Sequence, residues 1–396
     1  MLRFLTAGES HGPSLSVIVE GLPAGLAISE ETVSNELARR RLGYGRGPRM
    51  RFERDVVRLI GGVRHGRTLG SPVALEILNT EWPKWEQEMS AAPGTPTKRL
   101  TAPRPGHADL AGMQKYGFDD ARDVLERASA RETAARVGAG ALAKALLATI
   151  DVAIVSHIIR IGEAATPGDV RPKTSDLERI DLSEVRCFDA VSEAAMIAEI
   201  KAAAKAGDSL GGVAEVIAYG VPVGLGSYVH WDRKLDGLLA GALMSIHAVK
   251  AVEIGDGMIQ ASQRGSTAHD AIARDESYAL GGGYIRRSDH AGGLEGGVSS
   301  GAPIIAKVAM KPLATLNRPV LETVDVATGE STVSFKERTD VTAVPAMGVV
   351  AESMMALVLA NEALRKFGGD SVEEFVRNER NYVDSLGDLV SGPRAE

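Results

Sequence analysis

Two histidines sit where an imidazole is presented rather than packed. His11 lies in Gly8-Glu9-Ser10-His11-Gly12-Pro13, and His107 in Arg104-Pro105-Gly106-His107-Ala108-Asp109. Each occupies a glycine–proline turn beside polar groups, and imidazole titrates in the range that proton transfer near neutrality requires. His65, His157, His230, His269 and His290 lack such framing and read as surface or core residues. The second chemical signal is cationic. From Arg39 to Arg67 the chain carries ten arginines, no lysine and two acids, a local charge of +8 in a protein of formal charge −7. Guanidinium is planar, always charged and able to bind phosphate or carboxylate through two parallel hydrogen bonds. Within this stretch Arg41-Leu42-Gly43-Tyr44-Gly45-Arg46-Gly47-Pro48-Arg49 is a glycine-punctuated loop suited to wrapping an anion. The alternative is a solvated basic face, with Arg39, Arg40 and Arg41 ending a helix whose dipole favours cations.

A third feature runs from Arg127 to Arg136. Ser129 and Glu132 have capping-box spacing, so Ser129 is expected to cap an alanine-rich helix whose first-turn N–H groups, flanked by Arg127 and Arg131, suit a phosphate. A capping box that only starts a helix is the other reading. The glycine island from Gly281 to Gly301 lets backbone approach a flat or bulky ligand, but it lacks the strand–GxGxxG–helix order of a dinucleotide fold. Lys311-Pro312-Leu313-Ala314-Thr315 ends a strand with a cation, and Arg338 and Asp340 fall just before the last long helix. No cluster has metal-ligand spacing and no Gly-x-Ser-x-Gly elbow is present.

The elements that must hold these groups are of mixed type. Alternating or β-branched runs predict strands at 15–19, 56–60, 73–78, 152–161, 213–218 and 304–309. Helical periodicity covers about 30–41, 130–149, 193–206, 233–250 and 347–367, with caps at Ser29 and Ser192 and stops at Gly43, Gly207 and Gly368. Residues 82–105 hold five prolines and two of the three tryptophans, and read as a long loop or lid.

The chain also echoes itself. Residues 8–26 align without a gap on 207–225, with nine of nineteen positions identical. In the same order, Gly61-Gly62-Val63, Gly66, Gly70 and Pro72-Val73 parallel Gly292-Gly293-Leu294, Gly297, Gly301 and Pro303-Ile304. Two sequential matches imply an internal duplication about a pseudo-twofold axis, with halves of about 1–200 and 201–396 in a single domain. Leu210 stands where His11 stands, so chemistry is expected in one copy and scaffold in the other.

The single Cys187 excludes an intrachain disulfide. No secretory signal is apparent and no uninterrupted apolar run approaches a membrane span, which together point to the cytosol.

The blocks Gly8–Pro13, Arg39–Arg49, Gly66–Pro72, Arg104–Asp109, Arg127–Arg136, Ala248–Gly257, Gly292–Gly301 and Arg338–Pro345 occur in family order, and over nearly its full length the chain resembles chorismate synthase. The resemblance implies an α/β fold, a β-α-β sandwich with internal pseudo-twofold duplication, assembled as a homotetramer. It implies 1,4-anti elimination of phosphate from 5-enolpyruvylshikimate 3-phosphate, giving chorismate as the last step of the shikimate pathway. Reduced FMN is required without net redox change, with NADPH or an external flavin reductase as the source of electrons. Ser10, Arg40, Arg46, Arg49, Arg104, Ser129, Arg131 and Arg338 then bind substrate. His11 becomes the acid for the departing phosphate, His107 the neighbour of the flavin N1 side, and Asp340 the carboxylate near flavin N5 where the C6 proton is lost. FMN contacts map to Arg127, Ala128, Ser129, His247, Ala248, Gly296, Lys311, Pro312, Leu313, Ala314, Thr315 and Arg338, and NADP contacts to Arg40 and Arg46. Many relatives have serine at position 128 and asparagine at 247. The rival readings are a net NADPH/FMN oxidoreductase and a nucleic-acid-binding protein using the arginine tract. The acidic remainder and the 4% aromatic content argue against the latter.

Overall fold

A computed structural model describes residues 1–45, 55–168, 170–335 and 339–386. Two antiparallel sheets enclose a layer of helices. The first sheet is built from β1 (Arg3–Ala7), β2 (Ser14–Glu20), β3 (Val56–Gly61) and β4 (Val73–Leu78), in the order β1-β2-β4-β3. The second contains β5 (Ala153–Ile161), β6 (Gly212–Tyr219), β7 (Val249–Ile254) and β8 (Ile304–Met310), in the order β5-β6-β8-β7, with Ala164–Ala165 added beyond β5. The orders are the same once the second set is renumbered, which is the duplication written in hydrogen bonds.

Among the described residues the helices of seven or more residues are α1 (Glu30–Arg41), α2 (Asp109–Tyr116), α3 (Arg122–Ala128), α4 (Thr133–Ala148), α5 (Ala190–Ala206), α6 (Leu235–Met244), α7 (Val344–Phe367) and α8 (Val372–Leu386). Helices α1 and α6 each link the second strand of a copy to its third, and α4 and α7 follow the fourth. Strand alternation decides which face is covered: Leu15, Val17, Val19, Val73, Leu75 and Ile77 point inward and are buried. Helix α4 lies on this face, α7 lies on β5 and β6, and the two helices pack on each other. Twenty of the 24 residues of α7 are buried. Among the described residues it alone is long and apolar enough for a membrane span, yet it is the core helix of the sandwich. Glu352, Ser353, Asn361 and Glu362 interrupt its apolar run in the sequence.

Matched glycines do matched work. Gly62 has φ of 80° and Gly293 of 73°, and a Cβ on either would come within 2.3 Å of a carbonyl oxygen, that of Pro72 or of its counterpart Pro303. Gly21 and Gly220 likewise approach the carbonyls of Met1 and Asp151, the residues ahead of β1 and β5, at 2.2 Å. These positions exclude any side chain, so the repeat is imposed by backbone geometry.

Three local expectations are corrected. Helix α6 stops at Met244 rather than near 250, because Ala248 adopts a left-handed φ of 65° and the chain turns into β7. The cap of α5 is Asp189, whose carboxylate accepts the Ser192 N–H, so Ser192 lies inside the first turn. Ser129 accepts from the Arg131 N–H and opens a short 3-10 turn, Ala130–Glu132, ahead of α4. Glu132 does not close the box; its carboxylate takes bonds from Thr6 at 2.9 Å and Arg136 at 2.8 Å instead.

Candidate active site

The turn between β1 and β2 carries Ser10 and His11, and α3 supplies the group that holds it. Ser10 N–H donates to the Glu126 carbonyl at 3.0 Å, and His11 N–H to Glu126 Oε2 at 2.9 Å. The His11 Nδ1 lies 2.9 and 3.0 Å from the two carboxylate oxygens of Glu126. One turn earlier on α3, Arg122 donates to Glu126 Oε1 at 3.0 Å. Glu126 is buried, which by itself opposes ionisation, but the bonds from His11 and the charge of Arg122 outweigh burial and hold its carboxyl below the ordinary value. Trp85, from the helical turn Trp82–Trp85, stacks on the His11 ring with centroids 4.0 Å apart, and the Arg122 guanidinium lies 4.9 Å from the Trp85 centroid. The 82–105 segment therefore reaches the histidine directly.

Next to this turn is the cationic corner. The Ser129 hydroxyl lies 3.1 Å from that of Ser10. Arg131, buried, donates to Asn79 Oδ1 at 2.9 Å and to Asp55, and Asn79 in turn donates to the Gly12 carbonyl at 2.7 Å. Asp55 is also 3.8 Å from Arg40 and 4.0 Å from Arg41, so three guanidinium groups gather on one buried carboxylate. Arg46, Arg49 and Arg338 lie outside the described residues.

A third group joins three distant segments. Arg104 donates to Asp109 at 2.8 and 3.1 Å and to Thr315 Oγ1 at 3.0 Å, while His107 Nδ1 meets Asp109 at 2.5 Å. Burial opposes ionisation of Asp109, but the His107 and Arg104 bonds prevail and hold it well below the usual carboxylate range. The Lys311 ammonium donates to the Gly106 carbonyl, its backbone N–H to the Ala248 carbonyl at 3.0 Å, and Ala314 flanks Gly106. Pro312 and Leu313 back onto the second copy's turn, where Ser209 donates to the Leu313 carbonyl at 2.8 Å.

His247 ties this group to the cationic corner. Burial lowers its pKa; Glu132, 3.8 Å away, opposes the shift, while Arg136, His107 and Arg127 reinforce it. The His247 Nδ1 is buried and, among the described residues, has no hydrogen-bond partner. Arg127, adjoining Ala128 at the end of α3, donates to the carbonyls of Gly8 and Thr6 at 3.1 and 2.9 Å. Asp340 sits where Val341 N–H donates to the Gly45 carbonyl at 2.8 Å and Leu210 N–H to the Val341 carbonyl at 2.8 Å. It is therefore bracketed by the end of the arginine loop and the second copy's turn.

Gly296 stands apart. Gly297 abuts Lys234 and Leu235 at the start of α6, whereas His247 follows the end of that helix, about 15 Å away by helical rise. Trp85, Asp55, Asn79 and Glu126 were not singled out by sequence reasoning. Only Glu126 carried a local signal, its i,i+4 spacing from Arg122.

The left-handed Ala248 is a strained non-glycine residue beside His247. Ala248→Gly is expected to raise stability by about 1 kcal/mol, the penalty of this conformation for an L-residue. A urea midpoint at or below that of the parent would show that the Ala248 methyl makes a compensating contact.

Known proteins resemble this chain over nearly its whole length. The chorismate synthase family profile matches residues 2–364. Chorismate synthase of Thermobifida fusca (strain YX) is 57% identical over 397 residues, covering 98% of this chain and 99% of that one. The enzyme of Streptomyces coelicolor is 59% identical over 394 residues, covering 97% and 98%. A crystal structure of chorismate synthase superposes with a TM-score of 0.78 at 39% identity, covering 98% of each chain. The sandwich thus has its counterpart in a solved relative, and the chain belongs to the chorismate synthase family of carbon–oxygen lyases.

Proposed function

We propose that this enzyme eliminates phosphate from 5-enolpyruvylshikimate 3-phosphate in a 1,4-anti sense to yield chorismate. The observation that carries the reading is the junction of Ser10, His11, Ser129, Arg131 and Arg40 in one corner, a proton donor set among cations. Breaking the allylic C–O bond leaves its electron pair on the phosphate oxygen, and a C6 proton must depart to balance the charge. Arginines beside the leaving oxygen stabilise the charge that develops there, and His11 delivers the proton that phosphate takes up. Asp340, between the arginine loop and the second turn, is the carboxylate for the proton lost from C6. Closure of residues 82–105, which already place Trp85 on His11, excludes water from the corner.

The residues present fit a flavin. The unpartnered His247 Nδ1, the Ala248 turn, the Lys311–Thr315 backbone and the exposed Arg127 offer a ring edge and a phosphate tail their partners. Reduced FMN held there supplies electron density to the allylic system, with no net redox change. NADPH, with Arg40 and Arg46 as its contacts, or an external reductase keeps the flavin reduced in a cytosolic homotetramer.

The experiment is anaerobic turnover with pre-reduced FMN and no further electron donor. Many turnovers per flavin support elimination; NADPH consumed in step with product supports the oxidoreductase reading instead. Asp340→Asn is expected to slow single turnover about 10²-fold or more under these conditions. A parental rate removes Asp340 from the chemistry.

A further inference from the structure

We propose that Glu126 is the positioning residue that fixes the tautomer and orientation of His11, a role that rests on the function proposed above. An ionised carboxylate only accepts hydrogen bonds, so the nitrogen it faces, Nδ1, must carry the hydrogen. Nε2 is then the nitrogen that gains and gives up the proton. As the C–O bond of the substrate breaks and its electron pair stays with phosphate, the proton leaves Nε2. The ring reverts to the neutral Nδ1–H form that Glu126 holds.

The clamp is over-determined. Glu126 Oε2 also accepts the His11 backbone N–H at 2.9 Å, and Oε1 accepts Arg122 at 3.0 Å, so neither the carboxylate nor the imidazole can turn without losing a bond. The Trp85 ring covers one face of the imidazole, and Arg122 both stacks on Trp85 and anchors Glu126. Glu126 is 3% exposed, so water cannot replace it cheaply. A glutamine here fails in either orientation, because its NH₂ must oppose Arg122 on one side or the His11 N–H on the other.

The test uses the full chain with Glu126→Ala, Glu126→Gln, His11→Ala and the double variant Glu126→Ala/His11→Ala. Anaerobic turnover is measured with 5-enolpyruvylshikimate 3-phosphate and pre-reduced FMN, and ¹⁵N spectra are recorded on histidine-labelled protein. Glu126→Ala is expected to lower kcat about 10–100-fold with KM within about threefold, and Glu126→Gln to fall between it and the parent. In the His11→Ala background the same change should add less than about twofold, since a residue acting through His11 has nothing left to act on. The signal absent from His11→Ala should report Nδ1–H in the parent and a mixed tautomer in the glutamate variants. Multiplying losses in the double variant, or an unchanged tautomer in Glu126→Ala, overturn the proposal. Absence of turnover in the parent overturns the function instead, while the tautomer readout still decides the role of Glu126.

Discussion

Replacing His11 with alanine should lower turnover by about 10²–10⁴-fold at saturating substrate and reduced FMN, with FMN binding largely kept. The imidazole is the one titratable group in the β1–β2 turn that is both braced by a carboxylate and adjacent to Ser10 and Ser129. Its counterpart in the duplicated turn is Leu210, which packs partly buried against the core and donates only its backbone N–H, to Val341. The fold therefore tolerates an apolar side chain at this corner, and the loss should lie in chemistry rather than folding. Anaerobic steady-state rates check it together with flavin titration. Near-parental turnover would show that phosphate leaves without help from this ring.

The largest effect on stability is expected at Glu352, at the centre of α7 and fully buried. Its carboxylate receives Arg39 at 2.7 and 3.0 Å, Lys144 at 2.6 Å, Ser156 at 2.6 Å and Arg186 at 3.1 Å, joining α1, α4, β5 and the segment before α5. Complete burial opposes its ionisation, but Arg39, Lys144 and Arg186 prevail and keep it charged, well below the usual range. Burial pushes Arg186 down to about 10, with the Glu352 charge opposing the shift. Glu352→Ala strands these cations in the interior and should cost about 3–5 kcal/mol, a large part of the roughly 5–15 kcal/mol that holds a domain folded. Urea denaturation of parent and variant measures it, and a loss under about 1 kcal/mol would mean that Glu36 and Asp181 neutralise the cluster unaided. The pH dependence has a fixed sign. Because the folded carboxyl is depressed, its contribution is complete above the unfolded value near 4.5 and fades as pH falls below it. Glu352→Gln should lack that part of the acid sensitivity.

Periodicity located the six strands 15–19, 56–60, 73–78, 152–161, 213–218 and 304–309, because each alternates or runs β-branched over a buried face. It missed β1 and β7. Arg3–Ala7 exposes three of five residues, and Val249–Ile254 follows α6 after only residues 245–248, the last of them the left-handed Ala248. It also missed the short helices α2 and α3, and α8, which places just Phe375, Glu379 and Leu386 in buried positions. Among the groups that the structure gathers, the glycine–proline turns pointed to His11 and His107, the arginine tract to Arg40, and the Ser129–Glu132 spacing to its neighbour Arg131. Asn79 and Asp55 were illegible because their partners are 52 and 76 residues away in sequence, and the spacing of Glu126 from Arg122 gave no sign of His11, 115 residues away. Spacing reports what shares an element, whereas these contacts exist only once β1, β4 and α3 are brought together. The duplication was legible for the opposite reason, since positions that cannot bear a Cβ leave glycine as a permanent mark.

The placement of α7 orders events during synthesis. Each sheet draws its strands from its own stretch of chain, 3–78 and 153–310, and can assemble as those residues emerge. The helix that fills the space between them is made afterwards, at Val344–Phe367, and twenty of its residues are interior. Until it arrives, α4 and β5 present apolar surface to water, and the nascent chain is at its most prone to aggregate or to recruit chaperones. A chain that ends between residues 310 and 344 lacks the helix that fills the interior between the two sheets.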